Sequence, residues 1–198
     1  MSPVPPLFSA AGLAVRALQP SEVPALQALF DAHAEYFQAV NGRPARPDEA
    51  QQEFAERPPP HLPWRRHHHT GAFDADGALV GTLVFTEGLV DPQVCHLGLF
   101  WLMTPLHGRG LAAPLHEAWA GWARAQGARW LRLSVIAGNA RAETFWARRG
   151  YTEVRRRNGI DTGGRLNDAR VMIRALDGAP LAEYLARVPR DHPDSSLP

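Results

Sequence analysis

The residue types best suited to chemistry are gathered in one short segment, residues 102–111. An almost continuous apolar run, residues 94–103, leads into a loop with Gly108 and Gly110, and a helix is predicted directly after it. The first N–H groups of a helix lack internal partners, and the helix dipole makes that end positive. Glycines let an anion approach the bare backbone. The segment predicts a phosphate or pyrophosphate site with Arg109 beside it; the alternative is a plain glycine turn.

Two common phosphate-binding motifs do not fit this segment. The dinucleotide fingerprint Gly-x-Gly-x-x-Gly is missing, and the loop follows four predicted strands instead of the first one. All 21 basic residues are Arg. Without Lys, the chain cannot build a P-loop lysine or a lysine Schiff base.

Composition narrows the class of protein further. The 198 residues suit one domain, and 45% hydrophobic with 21% charged residues indicates a folded chain. A formal net charge of +1 argues against nucleic acid or a membrane surface as the main partner. Cys95, the only cysteine, excludes an internal disulfide and a Cys-built zinc site, and suits a reducing cytoplasm. No stretch is apolar enough for a membrane span, and the N-terminus lacks the features of a secretion signal.

Hydrophobic periodicity and turn residues divide the chain into alternating elements. Strands are predicted at residues 15–18, 68–73, 79–87, 94–103, 130–135, 151–156 and 170–175, and helices at 21–40, 48–56, 111–127, 141–149 and 180–188. The one strand–helix–strand crossover should place its two strands in parallel. This order predicts an α/β (α+β) domain with a mixed sheet. Its predicted parts are a flexible N-terminus (1–12), a domain (13–176), and a C-terminal short helix and tail (177–198).

A second segment gives the glycine loop a more specific meaning. It carries Asn139, Ala142, Phe145-Trp146 and Gly150-Tyr151. Together with His107-Gly108-Arg109-Gly110-Leu111-Ala112, it resembles the GCN5-related N-acetyltransferase (GNAT) family. The first motif of that family reads Gln/Arg-x-x-Gly-x-Gly/Ala, and its second reads Asn-x-x-Ala-x-x-Phe-Tyr and then Gly-Phe. The predicted element order over about residues 13–175 is similar too. Residues 42–44, 92–99 and 145–146 resemble one bacterial subgroup of the family.

The resemblance implies a fold, a co-substrate and a set of site residues. The implied fold is a GNAT-like, mostly antiparallel sheet of about six or seven strands with helices on both faces. Acetyl-CoA would be the co-substrate, with no metal, and pantetheine would lie between two splayed parallel strands. The residues implied to contact CoA are Leu102, Met103, Thr104, His107, Gly108, Arg109, Gly110, Leu111, Ala112, Asn139, Phe145 and Trp146. An N–H near Phe100 or Leu102 would stabilise the tetrahedral oxyanion.

Three residues depart from the family pattern. His107 stands where Gln or Arg is usual, and we expect weaker affinity from this change because the backbone does most of the phosphate binding. Trp146 replaces the tyrosine that often protonates the departing thiolate. Indole is no acid at neutral pH, so the thiolate must leave unassisted or take its proton from another group. His96 stands on the central strand, where many members carry a glutamate base.

His96 is the predicted general base. By strand alternation it would share a face with Gly98, Phe100 and Leu102, and an imidazole with a pKa near 6.5 can accept a proton from an amine. The alternatives are a core histidine or one that faces away from the substrate. Glu87, at the end of the preceding strand, is the second candidate base, unless it is simply solvated.

Other residues carry weaker hypotheses. The resemblance implies that the far end of the first helix borders the acceptor pocket, so Glu35 and Tyr36 are predicted to touch the substrate, with a structural role as the alternative. The histidines at 67–69 suggest a metal site, but without Cys or a matched carboxylate we favour solvated strand residues. The arginines at 155–157 predict a solvated edge, with an anionic substrate or nucleic acid as the alternative. Trp119, Trp122 and Trp130 are predicted core residues.

The function predicted from these residues is acetyl-CoA-dependent N-acetyl transfer to a primary amine. Direct attack in a ternary complex is favoured, because Cys95 should face away from His96. A rival hypothesis is a non-catalytic acyl-CoA-binding or sensing module, motivated by the missing tyrosine and glutamate. A third is a nucleic-acid-associated protein that uses its arginines, which the near-neutral charge disfavours. The expected setting is the bacterial cytoplasm without membrane association, and a homodimer is left open.

Overall fold

The computed structural model describes residues 4–197, which fold around one sheet of eight strands. The strands are β1 (Phe8–Ala10), β2 (Leu13–Ala17), β3 (Arg66–Phe73), β4 (Leu79–Glu87), β5 (Val94–Leu102), β6 (Trp130–Ile136), β7 (Thr152–Asp161) and β8 (Leu166–Ala175). The α-helices are α1 (Val23–Ala32), α2 (Glu35–Asn41), α3 (Glu49–Ala55), α4 (Ala112–Ala125), α5 (Ala140–Arg148) and α6 (Leu181–Arg187). The strand order is β1-β2-β3-β4-β5-β6-β8-β7.

The predicted fold class is confirmed. Among the described strands only β5 and β6 are parallel, and α4 joins them as the predicted crossover; every other neighbouring pair in the sheet is antiparallel. On one side, called here the α4 face, Leu115 and Trp119 of α4 pack against strand residues such as Leu97 and Leu133. On the other side, called the α1 face, helices α1 to α3 cover Trp101 and helix α6 covers Trp130.

An eighth strand lies inside the predicted flexible N-terminus. Residues 8–10 form β1 and pair with β2 across a turn in which Ala11 and Gly12 both have positive φ, 53° and 77°. Two left-handed residues in succession are the geometry of a tight two-residue hairpin. The Phe8 ring lies 6.5 Å from that of Phe85 and 6.3 Å from that of Trp122, which anchors the strand. Residues 1–3 of the predicted segment lie outside the described residues.

The helix predicted at residues 21–40 is two helices, α1 and α2, that break at His33 and Ala34. The rings of Phe30 and Phe37 meet edge to face at 4.8 Å. In a straight helix, seven residues separate two positions by about 10 Å along the axis. The bend brings both rings onto the same part of the core, so tertiary packing overrides the helical periodicity.

The hairpin of β7 and β8 is longer than predicted, because its polar outer half was interpreted as a loop. That half packs against helix α2. The side chains of Asn167 and Thr162 both donate hydrogen bonds to the Val40 carbonyl, at 2.8 and 3.0 Å. These polar contacts to α2 anchor the outer half of the hairpin, which continues the ladder through pairs such as Ile160 with Asn167.

The C-terminal segment also packs more closely than a frayed tail. Helix α6 follows the predicted range, and its Tyr184 is fully buried against Trp130 and Val94. A 3₁₀ turn after it, Pro189–Asp191, places the Asp191 carboxylate at 1% exposure. This segment therefore contributes side chains to the α1 face of the sheet.

Candidate active site

The glycine loop leaves several backbone donors without partners. Strand β5 ends at Leu102, and the loop then reaches the start of α4. Gly108 and Gly110 are exposed with φ of 76° and 78°, and no atom lies within 4 Å of the position of an added Cβ. The predicted donors at His107 and Arg109 are used inside the turn, since their N–H groups bond the Thr104 and Leu106 carbonyls. The N–H groups of Gly108 and of residues 110–112 have no partner within residues 4–197.

The parallel strands separate just beyond the middle of β5. Their pairing ends at Leu97 and Leu133, although β5 continues to Leu102 and β6 to Ile136. A cleft of about 110 Å³ occupies the gap. It is lined by Tyr36, Val40, Leu97, Gly98, Leu99, Phe100, Leu133, Ser134, Val135, Ile136, Asn139, Ala142 and Trp146.

Residues from both faces of the sheet line this cleft. Phe100 and Trp146 line it from the α4 face, where they belong to the α4 core. Tyr36 and Leu99 line it from the α1 face, where they pack with α1 and α3. The separation of the two strands therefore exposes side chains of both faces to one cavity.

The second motif forms the wall of the cleft on the α4 face. Asn139 accepts a hydrogen bond from the Ala142 N–H through Oδ1, which caps α5 and leaves its Nδ2 group available. Trp146 lines the cleft and contacts the rings of four aromatic residues, Phe100, His116, Phe145 and Tyr151. Phe145 stacks on Phe100 behind the cleft surface.

His107 connects the loop to the second motif. Its Nε2 donates to the Leu102 carbonyl at 2.7 Å, and its Nδ1 accepts from Arg141 at 3.1 Å. This pairing brings a second arginine to the loop that carries Arg109. Within residues 4–197, neither Arg109 nor Arg141 forms an ion pair. Sequence reasoning missed Arg141, whose position inside the second motif was the only signal for it.

Glu35 and Tyr36 lie where substrate contact was predicted. Glu35 accepts a hydrogen bond from the Thr104 hydroxyl at 3.0 Å, which connects α2 to the end of β5. Tyr36 lines the cleft, and burial with the nearby Glu53 and Glu49 raises its pKa. The Glu53 carboxylate makes no hydrogen bond to residues 4–197, and burial with its acidic neighbours raises its pKa to about 7. It was not singled out from the sequence, because an acidic residue on a polar helix gives no signal of burial.

Glu87 is not placed to act as a base. It is 4% exposed, paired with Cys95 at the end of β5 away from the glycine loop. Arg65 and His68 donate to its two carboxylate oxygens at 2.5 and 2.7 Å. A buried carboxylate with two cationic or donor partners is a structural ion pair. The interpretation of Glu87 as solvated is wrong as well.

The histidines at 67–69 are half-buried and hydrogen-bonded, in contrast to the predicted solvated strand. His68 stacks on Phe85, 4.7 Å between ring centroids, on the α4 face. On the α1 face, His67 forms a hydrogen bond with the Thr86 hydroxyl at 2.6 Å, and the ring centroids of His67 and His69 are 4.5 Å apart. Within residues 4–197, no group of three or more His, Cys, Asp or Glu could hold a metal ion.

The arginine run at 155–157 is only partly the solvated edge that was predicted. Arg155 bonds the carbonyls of Arg190 and Ser195, so it holds the C-terminal segment, whereas Arg156 is exposed. Of the predicted core tryptophans, Trp119 and Trp130 are fully buried and Trp122 is partly buried.

The predicted surroundings of His96 change because β5 carries a bulge. Leu97 pairs with Phe85 and Leu99 with Val84, so Gly98 is the extra residue and the alternation reverses after it. His96 therefore shares the α1 face with Leu99, opposite Phe100 and Leu102. Its Nδ1 lies 3.2 Å from Arg132 Nη1, and burial together with that cation lowers its pKa to about 3. This environment contradicts its predicted role as a general base.

Comparison with known proteins agrees with the site. The model of the acetyltransferase (GNAT) family matches residues 26–151. The chain belongs to the GNAT acetyltransferase family. This membership makes it an N-acetyltransferase by class, and GNAT enzymes use acetyl-CoA. Among curated proteins, none is similar enough in sequence to count as a relative.

Solved structures support the GNAT fold. An acetyltransferase from Thermus thermophilus has a TM-score of 0.64 at 22% identity, over 83% of this chain and 97% of that one. Spermidine N-acetyltransferase from Vibrio cholerae, solved with CoA and spermine, has a TM-score of 0.65 at 15% identity, over 85% of this chain and 98% of that one. The ribosomal-protein-S18-alanine N-acetyltransferase from Escherichia coli has a TM-score of 0.61 at 18% identity, over 85% of this chain and 97% of that one. In the described part of this GNAT chain, no helix is long and apolar enough to cross a membrane.

Proposed function

We propose that this protein transfers the acetyl group of acetyl-CoA to a primary amine by direct attack in a ternary complex. The observation that carries the proposal is the cleft lined from both faces of the sheet, together with the unpartnered donors of the glycine loop, which contacts the wall motif through His107 and Arg141. Such a cleft lets the thioester and the amine meet from opposite faces, without a covalent enzyme intermediate.

On the α4 face, the loop offers a site for the CoA phosphates. The free N–H groups of Gly108 and of residues 110–112, at the positive end of α4, suit a pyrophosphate. Arg109 and Arg141 supply charge beside them. Residues 102–104 and the Asn139 amide are proposed to contact pantetheine, and Phe145 supports the wall through Phe100.

The chemistry proposed for the cleft is acyl transfer without a protein nucleophile. The amine nitrogen bonds the carbonyl carbon, the carbon–sulfur bond breaks, and the amine proton passes to water. The CoA thiolate is a fair leaving group because thiols have a pKa near 8.5. Cys95 is buried on the α4 face, and burial raises the pKa of its thiol, so it does not serve as a nucleophile. The proposed setting is the cytoplasm.

A second candidate is an acyl-CoA-binding or sensing module without catalysis. The composition of the cleft favours it, since Tyr36 is the only titratable side chain among the described residues that line the gap. Trp146 stands where an acid would be useful, and its indole N–H cannot supply a proton at neutral pH.

Two measurements separate these functions. Thiol release from acetyl-CoA is measured against a panel of primary amines, amino acids and peptides, and calorimetry measures binding of acetyl-CoA and CoA. The proposed enzyme releases thiol with at least one acceptor, well above the rate of acetyl-CoA hydrolysis alone. Binding without release from any acceptor supports the sensing module, and absence of CoA binding contradicts both functions.

A further inference from the structure

We propose that Arg132 and Asp191 fix His96 as a neutral hydrogen-bond donor on the α1 face of the sheet, next to the residues that line the cleft. His96 then donates from Nε2 to an oxygen of the reacting pair, either on the acceptor or on the tetrahedral intermediate. This inference rests on the proposed function, because it assigns a residue on the acceptor side of the same cleft.

A chain of hydrogen bonds leads from the C-terminal segment to His96 on strand β5. Tyr184 Oη donates to Asp191 Oδ2 at 2.6 Å. Arg132 donates to the same carboxylate through Nε at 2.7 Å and Nη2 at 2.9 Å. Its remaining amino group, Nη1, lies 3.2 Å from His96 Nδ1. Arg132 is 5% exposed and Asp191 1%, so this geometry is held inside the protein.

The pairing determines which nitrogen of His96 carries the proton. A guanidinium has only donors and stays charged in proteins, and its carboxylate partner raises the pKa of Arg132 further. Arg132 must therefore donate, and His96 Nδ1 must accept with its lone pair. A neutral imidazole that accepts at Nδ1 carries its single proton on Nε2. A cation that withdraws density at Nδ1 also strengthens the Nε2–H group as a donor.

The position of His96 gives that donor a target. His96 directly precedes Leu97 and Gly98, which line the cleft at the point where β5 and β6 separate. It shares the α1 face with Leu99 and Ser134, two further lining residues. Its side chain is partly exposed, and Nε2 has no partner in residues 4–197 and is not sealed from solvent.

The charges that face His96 favour its neutral form. Arg132 lies beside it, His67 lies in the same row of the sheet, and Asp191 lies beyond Arg132. Arg157 is near Arg132 and adds positive potential. A protonated His96 would place a second cation in this group, so a donor role suits the surroundings better than a proton-accepting role.

The decisive comparison is His96→Gln against His96→Ala. Glutamine keeps an N–H donor at about the reach of Nε2 but has no basic nitrogen, whereas alanine loses both. We expect His96→Gln to keep kcat/KM within about fivefold of wild type, and His96→Ala to lose about 10- to 100-fold. Equal losses in both variants, or no loss in either, overturn the proposal. His192→Gln, an exposed histidine, is the matched control.

The two sources of the oxygen are separated by kinetics. If His96 bonds the acceptor, His96→Ala raises the acceptor KM, and only for amines that carry a nearby carbonyl, carboxylate or hydroxyl oxygen. If it bonds the tetrahedral intermediate, kcat falls for every acceptor while KM is unchanged. A rise in the KM for acetyl-CoA alone contradicts both arms.

The positioning role has a readout that is independent of activity. Nitrogen NMR of labelled histidine distinguishes the two imidazole tautomers. In the wild-type protein we expect His96 to be the Nε2–H tautomer throughout pH 5–8. In Arg132→Gln we expect a mixture of tautomers. A wild-type Nδ1–H signal overturns the proposal, and it does so even if Arg132→Gln does not fold. If no amine is acetylated but the Nε2–H signal is present, the proposed function fails while the assignment of the tautomer stands.

Discussion

At the scale of single residues, Trp146 shows how packing and chemistry can be separated. Its indole stands at the motif position where the family often has a tyrosine and lines the cleft, yet it contacts four aromatic rings and is only 8% exposed. These contacts are those of a core residue. The residue therefore stabilises the wall of the cleft, and in the proposed reaction the thiolate leaves without its help.

We expect Trp146→Phe to change stability more than catalysis. The smaller ring leaves part of a packed site empty, which costs about 1–2 kcal/mol, less than the 3–5 kcal/mol of truncation to alanine. The kcat for the best acceptor should stay within a few-fold of wild type, as measured by thiol release. A loss of kcat above 100-fold contradicts this account. Trp64→Phe, at a residue 41% exposed, is the control and should not change the melting temperature.

Glu53 gives stability a dependence on pH. The pKa of its carboxyl rises from 4.5 to about 7 in the folded protein. The folded state then binds this proton more tightly than the unfolded state, so its contribution to stability falls as pH rises from about 4.5 to 7. We expect Glu53→Gln to raise the melting temperature by a few degrees at pH 8 and by almost nothing at pH 4.5. An equal shift at both values would exclude titration of Glu53 as the cause.

At the scale of elements, the glycine loop and the separation of β5 from β6 work together. The bulge at Gly98 and the end of pairing at Leu97 open the cleft. The turn after β5 leaves the N–H groups of the loop without partners. Helix α2 and the β7–β8 hairpin close the α1 side through Val40. These local features can bind an anionic ligand although the chain as a whole has a formal net charge of only +1.

Gly110→Ala tests the loop. An added Cβ at φ 78° meets no atom, so the cost is conformational, about 1 kcal/mol, and not a clash. We expect the methyl group to hinder a phosphate over the loop and to weaken CoA binding about tenfold, as measured by calorimetry. Gly12→Ala has nearly the same φ, 77°, and equally open space. It should lose similar stability and keep the CoA affinity; equal affinity losses in both variants would refute a phosphate site at the loop.

At the scale of the whole molecule, the C-terminal segment is part of the folded unit. It lies outside residues 26–151 that the family model matches, yet Asp191 pairs with Arg132 on a central strand. Removing a buried partner leaves an uncompensated charge, which is more damaging than the pair itself is stabilising.

We expect Asp191→Ala to lower the free energy of unfolding by about 3–5 kcal/mol in urea. Asp194→Ala, at a side chain 92% exposed, should leave it unchanged. The guanidinium of Arg132 holds the pKa of Asp191 below its usual value. The difference in the free energy of unfolding between the wild type and Asp191→Ala should therefore be complete above about pH 4 and be lost as the pH falls below that value. A loss that persists undiminished at pH 2 contradicts the ion pair as its source.

The sequence by itself determined the elements and the family. Apolar periodicity and turn residues located most strands and helices, and two motifs in the right order indicated the GNAT fold, because local patterns reflect local geometry. The two motifs and the family resemblance pointed to Asn139, Trp146 and Tyr36, and the structure brings these three residues together at the cleft.

Only the tertiary structure decided which side chains face each other. One bulged residue, Gly98, reverses the alternation of β5 and moves His96 to the other face from Phe100. The partner that fixes the tautomer of His96 comes from a strand far away in sequence, and Asp191 holds that partner from the C-terminal segment. Such pairings depend on register and long-range packing, which no local pattern encodes.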